Sequence, residues 1–454
     1  MTATVLVDAE NVRRSTWPNV PAAELVERCR RWAARSDVRL VVVFDGPAPG
    51  EGGDLVAAAD AGADDRIVEL ARGLEGPVWL VTSDRELRRR VGDAAARLIG
   101  GGTFVRELLA EAEPLYDPPV QERNREIRLV ARAHGAPDES LFELVETPVP
   151  TPAEGQVLIR NAYLSVDPYM RGRMSDVRSY VAPFTLGEAM SGGAVGRIVA
   201  SRSPDWREGD WVVHGLGWRE WSLSDARGLR RVEPGEAPIS TALGVLGMPG
   251  MTAWWGITQI GKPREGETVF VSGAAGAVGS AAAQLAALRG CRVLGSAGSA
   301  EKLEWLAELG IEAFDYHSRP PHEALRELAP DGIDVYFDNV GGDHLEAAIG
   351  AMRPFGRVVA CGAISRYSAV EPEPGPRNLF MLFTKRLTVQ GFIVSDHYDR
   401  YAEFLAEMTP LVRDGRVRYR ETVVEGIENA PAAFLGLLRG ENIGKMLVKV
   451  GPEQ

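Results

Sequence analysis

The chain has 454 residues, more than one ordinary domain holds, and with 45% hydrophobic and 25% charged residues it reads as globular rather than disordered. A net charge of −12 argues against a general nucleic-acid or anionic-membrane binder, because neutralising phosphates takes a basic surface. No apolar run is long enough for a membrane-spanning helix, and residues 1–8 lack the basic start and long apolar core of a signal peptide, so a cytoplasmic location is expected.

The first strand signal is residues 5–7, ending in Asp8. A helical pattern over 22–34 follows, then an apolar strand over 40–44 ending in Asp45. Residues 64–72 are helical, 78–81 form a third strand, and 84–91 are helical again. Such alternation predicts a parallel sheet covered by helices over 1–112. In an open parallel sheet the carboxyl ends of the strands gather at one edge. Asp8, Asp45, Asp64 and Asp84 would meet there and offer oxygen ligands to Mg²⁺ or Mn²⁺, which activates water against a phosphodiester. The same aspartates suit helix caps. Arg85, Arg88, Arg89 and Arg90 suit either RNA phosphates or a solvated helix face. Cys29, Cys291 and Cys361 are too scattered for a disulfide framework or a four-cysteine zinc site.

Residues 113–123, rich in proline and charge, read as a linker. Short strands between Gly/Pro turns over 124–240 predict a β-rich, partly closed barrel. Residues 241–370 change to a strand–helix–strand pattern, and 371–454 return to mixed elements with strands over 418–424 and 445–450. Thr268-Val-Phe-Val-Ser-Gly-Ala-Ala-Gly-Ala-Val-Gly279 is an apolar strand running into a glycine loop, with a helix over 280–289 and a second strand over 291–295 behind it. Gly273, Gly276 and Gly279 give a dinucleotide fingerprint with one extra residue between the first two glycines. Gly276 lets backbone approach a pyrophosphate, Gly279 lets the helix pack on the strand, and the helix start offers oriented N–H groups. No carboxylate stands at the tip of the second strand, where NAD's ribose 2′-OH would be bound. Ser299 and Lys302 follow instead, which suits the 2′-phosphate of NADPH. Lys302, one of only five lysines, suits a solvated helix face as well.

Two resemblances extend this reading. Residues 124–450 resemble the zinc-independent medium-chain dehydrogenase/reductase superfamily, in the group holding prostaglandin reductase, plant alkenal double-bond reductases and bacterial curcumin reductase. The matching strings are Tyr163-Leu-Ser-Val-Asp-Pro-Tyr-Met-Arg-Gly-Arg-Met174, Gly244-Val-Leu-Gly-Met-Pro-Gly-Met-Thr-Ala253, Asp338-Asn-Val-Gly-Gly342, Cys361-Gly-Ala-Ile-Ser-Arg-Tyr367, Glu428-Asn-Ala-Pro-Ala-Ala-Phe434 and Gly440-Glu-Asn-Ile-Gly-Lys445. The resemblance implies an α/β fold in which a GroES-like β-barrel domain (124–240, closed by 371–454) holds an inserted Rossmann domain (241–370). It also implies a homodimer. Ala275, Gly276, Ala277 and Val278 would hold the pyrophosphate, and Lys302 with Tyr316 would contact the 2′-phosphate end. Asn339 would lie near the ribose, while Thr252, Cys361, Gly362, Ala363, Ile364, Ser365, Phe392, Ile393 and Val394 would line the nicotinamide side. Asn442 would reach back to the cofactor. Tyr367 matches a substrate-activating tyrosine, and Tyr169 and Tyr180 match pocket tyrosines. Residues 2–110 resemble the NYN domains of the PIN-like nucleases, on Val7-Asp-Ala-Glu-Asn11, Phe44-Asp-Gly46, Gly62-Ala-Asp-Asp-Arg-Ile-Val-Glu69 and Val81-Thr-Ser-Asp-Arg-Glu-Leu87, with Ala9 where glycine is frequent.

The chemistry also follows from the residue types. Reducing an enone places negative charge on its carbonyl oxygen, and a tyrosine hydroxyl, with a reference pKa of about 10, donates there without ionising at neutral pH. No metal is needed. The residues alone leave Tyr367 open between a catalytic role and capping the sheet end, and Tyr169 and Tyr180 between substrate contact and aromatic filler; His214 and Cys361 read as structural. The expected function is NADPH-dependent reduction of the C=C bond of enones and alkenals, fused to a metal-dependent ribonuclease domain. Two other readings stand beside it: chiefly a ribonuclease that binds RNA, or a non-catalytic NADPH sensor.

Overall fold

The computed structural model describes residues 2–15, 19–36, 38–50, 52–58, 62–110, 123–177, 179–233, 235, 237–371 and 374–453. Of the expected linker at 113–123, all but Arg123 lies outside the described residues. The chain divides into two units, Met1–Leu115 and Tyr116–Gln454.

The first unit is built on a five-stranded sheet in the order Leu55–Ala57, Arg39–Phe44, Thr4–Asp8, Val78–Val81, Arg97–Ile99, with every neighbouring pair parallel. The central strand Thr4–Asp8 is buried along its whole length. Its side chains alternate between the two faces. Val5 and Val7 pack with Cys29, Trp32 and Phe104 on one face, and Leu6 packs with Val43, Ile67 and Leu80 on the other. That double burial is why the strand reads as a continuous apolar run.

In the second unit, a seven-stranded sheet runs Arg230–Val232, Trp211–His214, Ala194–Ser201, Val157–Ser165, Lys445–Lys449, Glu421–Glu425, with Trp221–Ser224 also paired to Val157–Ser165. Its pairs are antiparallel except that between Glu421–Glu425 and Lys445–Lys449. Between Val232 and Glu421 the chain forms a six-stranded parallel sheet in the order Glu312–Asp315, Arg292–Ala297, Thr268–Val271, Ile333–Asp338, Met352–Ala360, Thr388–Gly391. This is the doubly wound arrangement that places a ligand crevice at the carboxyl ends of its central strands.

Most boundaries shift by a residue or two from the sequence reading, and three shifts bear on the second unit. The helix behind the glycine loop is Ala277–Ala287 rather than 280–289, so Gly279 sits inside its first turn. The following strand is Arg292–Ala297 and runs two residues past its expected end at 295. The strand expected at 418–424 is Glu421–Glu425, since the Arg418 amide donates to the Gln284 side chain instead of a ladder (2.8 Å). Two glycines have no alternative. A Cβ at Gly279 would meet Gly273 O at 2.3 Å, and one at Gly444 would meet Arg420 O at 1.9 Å, with φ already at +65°.

Candidate active site

The two sheets of the second unit frame a cleft of about 1160 Å³. Its floor is the glycine loop. Gly276 caps the helix Ala277–Ala287 with no side-chain hydrogen bond, so the first amides of that helix have no intrahelical acceptor where residues 276–279 line the cleft. The Ala275 carbonyl is taken by the Gly444 amide at 2.8 Å. A helix start of this kind favours phosphate.

At one end the strand Arg292–Ala297 stops and Gly298 turns the chain; a Cβ there would meet the Tyr316 hydroxyl at 2.7 Å. Lys302 Nζ reaches across to donate to Gly440 O at 2.5 Å. Burial holds its ammonium below the usual lysine range. An ammonium has three donors, so a phosphate can share it with Gly440. Asn339 Nδ2 donates to Ser272 O at 2.8 Å, and the buried Asp338 accepts from the Val340 and Gly341 amides (3.0 and 2.8 Å) and the Tyr336 hydroxyl (2.7 Å). These bonds fix the loop after the strand Ile333–Asp338. Unsatisfied amides, a turn with no room for side chains and a partly desolvated cation together fit a dinucleotide carrying a 2′-phosphate.

The other group of lining residues is aromatic. Tyr169, Tyr180 and Tyr367 are joined by Tyr398 and Tyr401. Burial raises all five hydroxyls above the ordinary tyrosine value, so each stays protonated at neutral pH; Tyr401 is pushed up to about 12. At Tyr367 an amide hydrogen bond from Ala363 opposes that rise. The Cys361 thiol lines the same wall, and desolvation pushes it up to about 12, which keeps it a thiol rather than a thiolate. His214 lies on the edge of the cleft with Nε2 2.9 Å from Asn161 Oδ1 and Nδ1 accepting from the Leu216 amide at 3.1 Å; burial depresses it to about 3, so it is a neutral structural histidine.

Thr252, Ala275, Gly276, Ala277, Val278, Gly279, Lys302, Tyr316, Asn339, Cys361, Gly362, Ile364, Ser365, Phe392, Ile393, Val394 and Asn442 all line this one cleft. Ser299 and Ala363 do not. The Ser299 hydroxyl caps the helix Ala300–Glu308 by accepting from the Lys302 amide (3.4 Å), and Ala363 faces Gly341. The sequence reading missed Asp167, Arg173, Arg230, Tyr398, Tyr401 and Lys445. Asp167 and Lys445 stand inside the quoted motifs, where their pairing across 278 residues has no local sign. Lys445 Nζ lies 3.2 Å from Asp167 Oδ1 and donates to Val166 O (2.7 Å) and Met446 O (2.9 Å), and each side chain is 5% exposed.

Burial comes first in raising Asp8 and Asp64; Asp64 and Asp45 add to the rise at Asp8, and Asp84 and Asp45 to that at Asp64. Yet among the described residues no three His, Cys, Asp or Glu side chains are placed to hold a metal ion, so the expected preformed Mg²⁺ or Mn²⁺ site is not found there. Three of the four carboxylates serve as caps and turn acceptors. Asp8 accepts from the Asn11 amide (3.1 Å) and the Thr82 hydroxyl (2.8 Å), Asp45 from the Ala63 amide (2.8 Å), and Asp84 from the Glu86 and Leu87 amides (2.7 and 2.9 Å). Arg88 donates to Thr82 O, Arg89 pairs with Glu86, and Arg90 pairs with Asp65, which occupies three of the four arginines considered for RNA.

Residues 125–232 match the family described as the N-terminal domain of oxidoreductase, and residues 277–409 match the zinc-binding dehydrogenase family. The NADPH-dependent curcumin reductase of Escherichia coli is 44% identical over 73% of this chain and 98% of its own length. The NADP-dependent 2-alkenal reductase of Nicotiana tabacum is 42% identical over 73% and 98%. The crystal structure of CurA from Vibrio vulnificus in complex with NADPH superposes with a TM-score of 0.70, at 43% identity over 72% of this chain and 99% of that one. The chain belongs to the medium-chain dehydrogenase/reductase family. Within that family it is an NADP-dependent oxidoreductase.

The buried Lys445–Asp167 pair makes one test of the site's construction. Lys445→Met leaves Asp167 buried without its cation, and denaturant unfolding is expected to record a loss of about 3–5 kcal/mol. Adding Asp167→Asn should recover most of it; equal losses in the single and double variants would contradict the pairing.

Proposed function

We propose that the chain is an NADPH-dependent reductase of the C=C bond in α,β-unsaturated ketones and aldehydes, working without zinc. The observation that carries this reading is a single cleft joining an uncapped helix start and Lys302 to a cluster of protonated tyrosines. When bound, the reduced nicotinamide supplies a hydride to the substrate's β-carbon.

The chain's own residues do the rest. The helix start and Lys302 hold the two phosphate regions. Cys361, Gly362, Ile364, Ser365 and residues 392–394 wall the nicotinamide and exclude water. The Tyr367 hydroxyl donates to the substrate's carbonyl oxygen as negative charge gathers there, and Tyr169 and Tyr180 hold the substrate against that wall. Burial supports Tyr367 in this role, because a raised pKa keeps its proton available at neutral pH. The α-carbon then takes a proton from water.

For the assembly, we infer a homodimer formed through the strand Thr388–Gly391, exposed at all four residues on the sheet edge and flanked by exposed Phe380 and Phe383. For the first unit, the raised carboxyls of Asp8 and Asp64, each held up by burial and then by neighbouring carboxylates, support a second reading, a divalent-cation-dependent ribonuclease in which Asp8, Asp45, Asp64 and Asp84 close on the metal as it binds.

Lys302→Ala should weaken NADPH binding about ten-fold or more while leaving NADH nearly unchanged, measured by fluorescence titration; equal losses would remove the 2′-phosphate contact. Tyr367→Phe should lower kcat about 10²–10³-fold with NADPH affinity retained, and unchanged turnover would strip Tyr367 of its role. Asp8→Asn should abolish Mn²⁺-dependent RNA cleavage and leave enone reduction intact; a wild-type chain that cleaves no RNA with Mn²⁺ sinks the nuclease reading.

A further inference from the structure

The tyrosine-lined end of the cleft carries positive charge that the chain does not neutralise. Among the described residues only two acids line the cleft, Asp167 and Asp343. Asp167 is already paired with Lys445, and Asp343 stands in the first turn of the helix Gly342–Ala351, beside the nucleotide loops. Against them stand Arg173 and Arg230. Arg173 donates to Ala182 O (2.8 Å), Ser191 O (3.2 Å) and Ser191 Oγ (2.8 Å), which are neutral acceptors, so its charge is held but not cancelled.

Arg230 is placed differently. Its guanidinium carbon lies 3.8 Å from the centroid of the Tyr401 ring, and no ion pair to it forms among the described residues. Tyr401 is a fixed platform: it is buried, and its hydroxyl donates to Leu246 O. A guanidinium stacked on an aromatic face uses that face alone. Its N–H donors lie in the plane and stay free, in the fork that matches a carboxylate. Tyr398 lies within the same field: burial raises its hydroxyl and Arg230 pulls against the rise. A chain of net charge −12 repels anions at long range, so an uncancelled cation inside its cleft selects for them locally.

We propose that Arg230, stacked on Tyr401, binds a carboxylate carried by the substrate, so that the preferred substrates are enones or enals bearing an acidic group. This rests on the C=C reductase reading above. Arg230 is then a specificity-determining residue: it acts on a part of the substrate remote from the reacting carbons.

The test uses the full chain with a methyl enone that carries a terminal carboxylate on a flexible alkyl chain, against the methyl ester of the same compound. The wild type should prefer the acid by about ten-fold in kcat/KM, the size of one charge-assisted hydrogen bond. Arg230→Met should bring the ratio to about one, and Arg230→Lys, which keeps the charge, should retain most of it. A wild-type ratio near one, or a ratio unchanged in Arg230→Met, overturns the assignment. Calorimetry of the saturated keto acid and its ester on the NADP⁺-bound wild type gives a readout independent of turnover, with the same ten-fold preference expected and equal affinities overturning it. If neither enone is reduced by a chain that binds NADPH, the C=C reading fails, and the calorimetric comparison still decides the role of Arg230.

Discussion

The amides that open the helix Ala277–Ala287 have no acceptor inside the helix, and the residue that caps them, Gly276, has no side chain to supply one. Everything else in the second unit follows from that constraint. A buried helix start left without a partner is unfavourable, so it is stable only at a wet or ligand-filled surface. The parallel sheet aims this helix at the carboxyl edge of its central strands, and the seven-stranded sheet closes the cleft from the opposite side.

One short segment ties the walls together. Residues 440–445 meet three of them in turn. Gly440 O accepts from Lys302 at one end, the Gly444 amide donates to Ala275 O in the glycine loop, and Lys445 grips Asp167 and Val166 O at the start of the segment that carries Tyr169. The close approach of Gly444 to Arg420 O leaves that position no freedom to carry a larger residue. Both ends of the cleft are therefore set by one piece of backbone, which makes its alignment a property of the fold rather than of single side chains.

The glycine loop was legible in the sequence because its physics is local. Strand, tight turn and helix start each leave a mark within a dozen or so residues, and no tertiary partner is needed to read them. Arg230 and Tyr401 are the opposite case. They lie 171 positions apart, one on an edge strand of the seven-stranded sheet and one on a helix, and only chain closure stacks them. Ser299 and the strand-end aspartates are ambiguous in the sequence for a different reason. A hydroxyl or carboxylate that could touch a phosphate or a metal is also the best helix cap, and sequence does not separate the two uses. At Ser299, Asp45 and Asp84 the backbone amides took the oxygen.

The central claim is that the uncapped helix start is a phosphate site and the cleft above it a coenzyme site. A crystal structure of the full chain grown with NADPH tests this most directly. The pyrophosphate is expected against the amides of residues 277–279, the 2′-phosphate beside Lys302, and the nicotinamide facing Tyr367. Coenzyme bound elsewhere, or a cleft that stays closed to it at saturating concentration, would contradict the account.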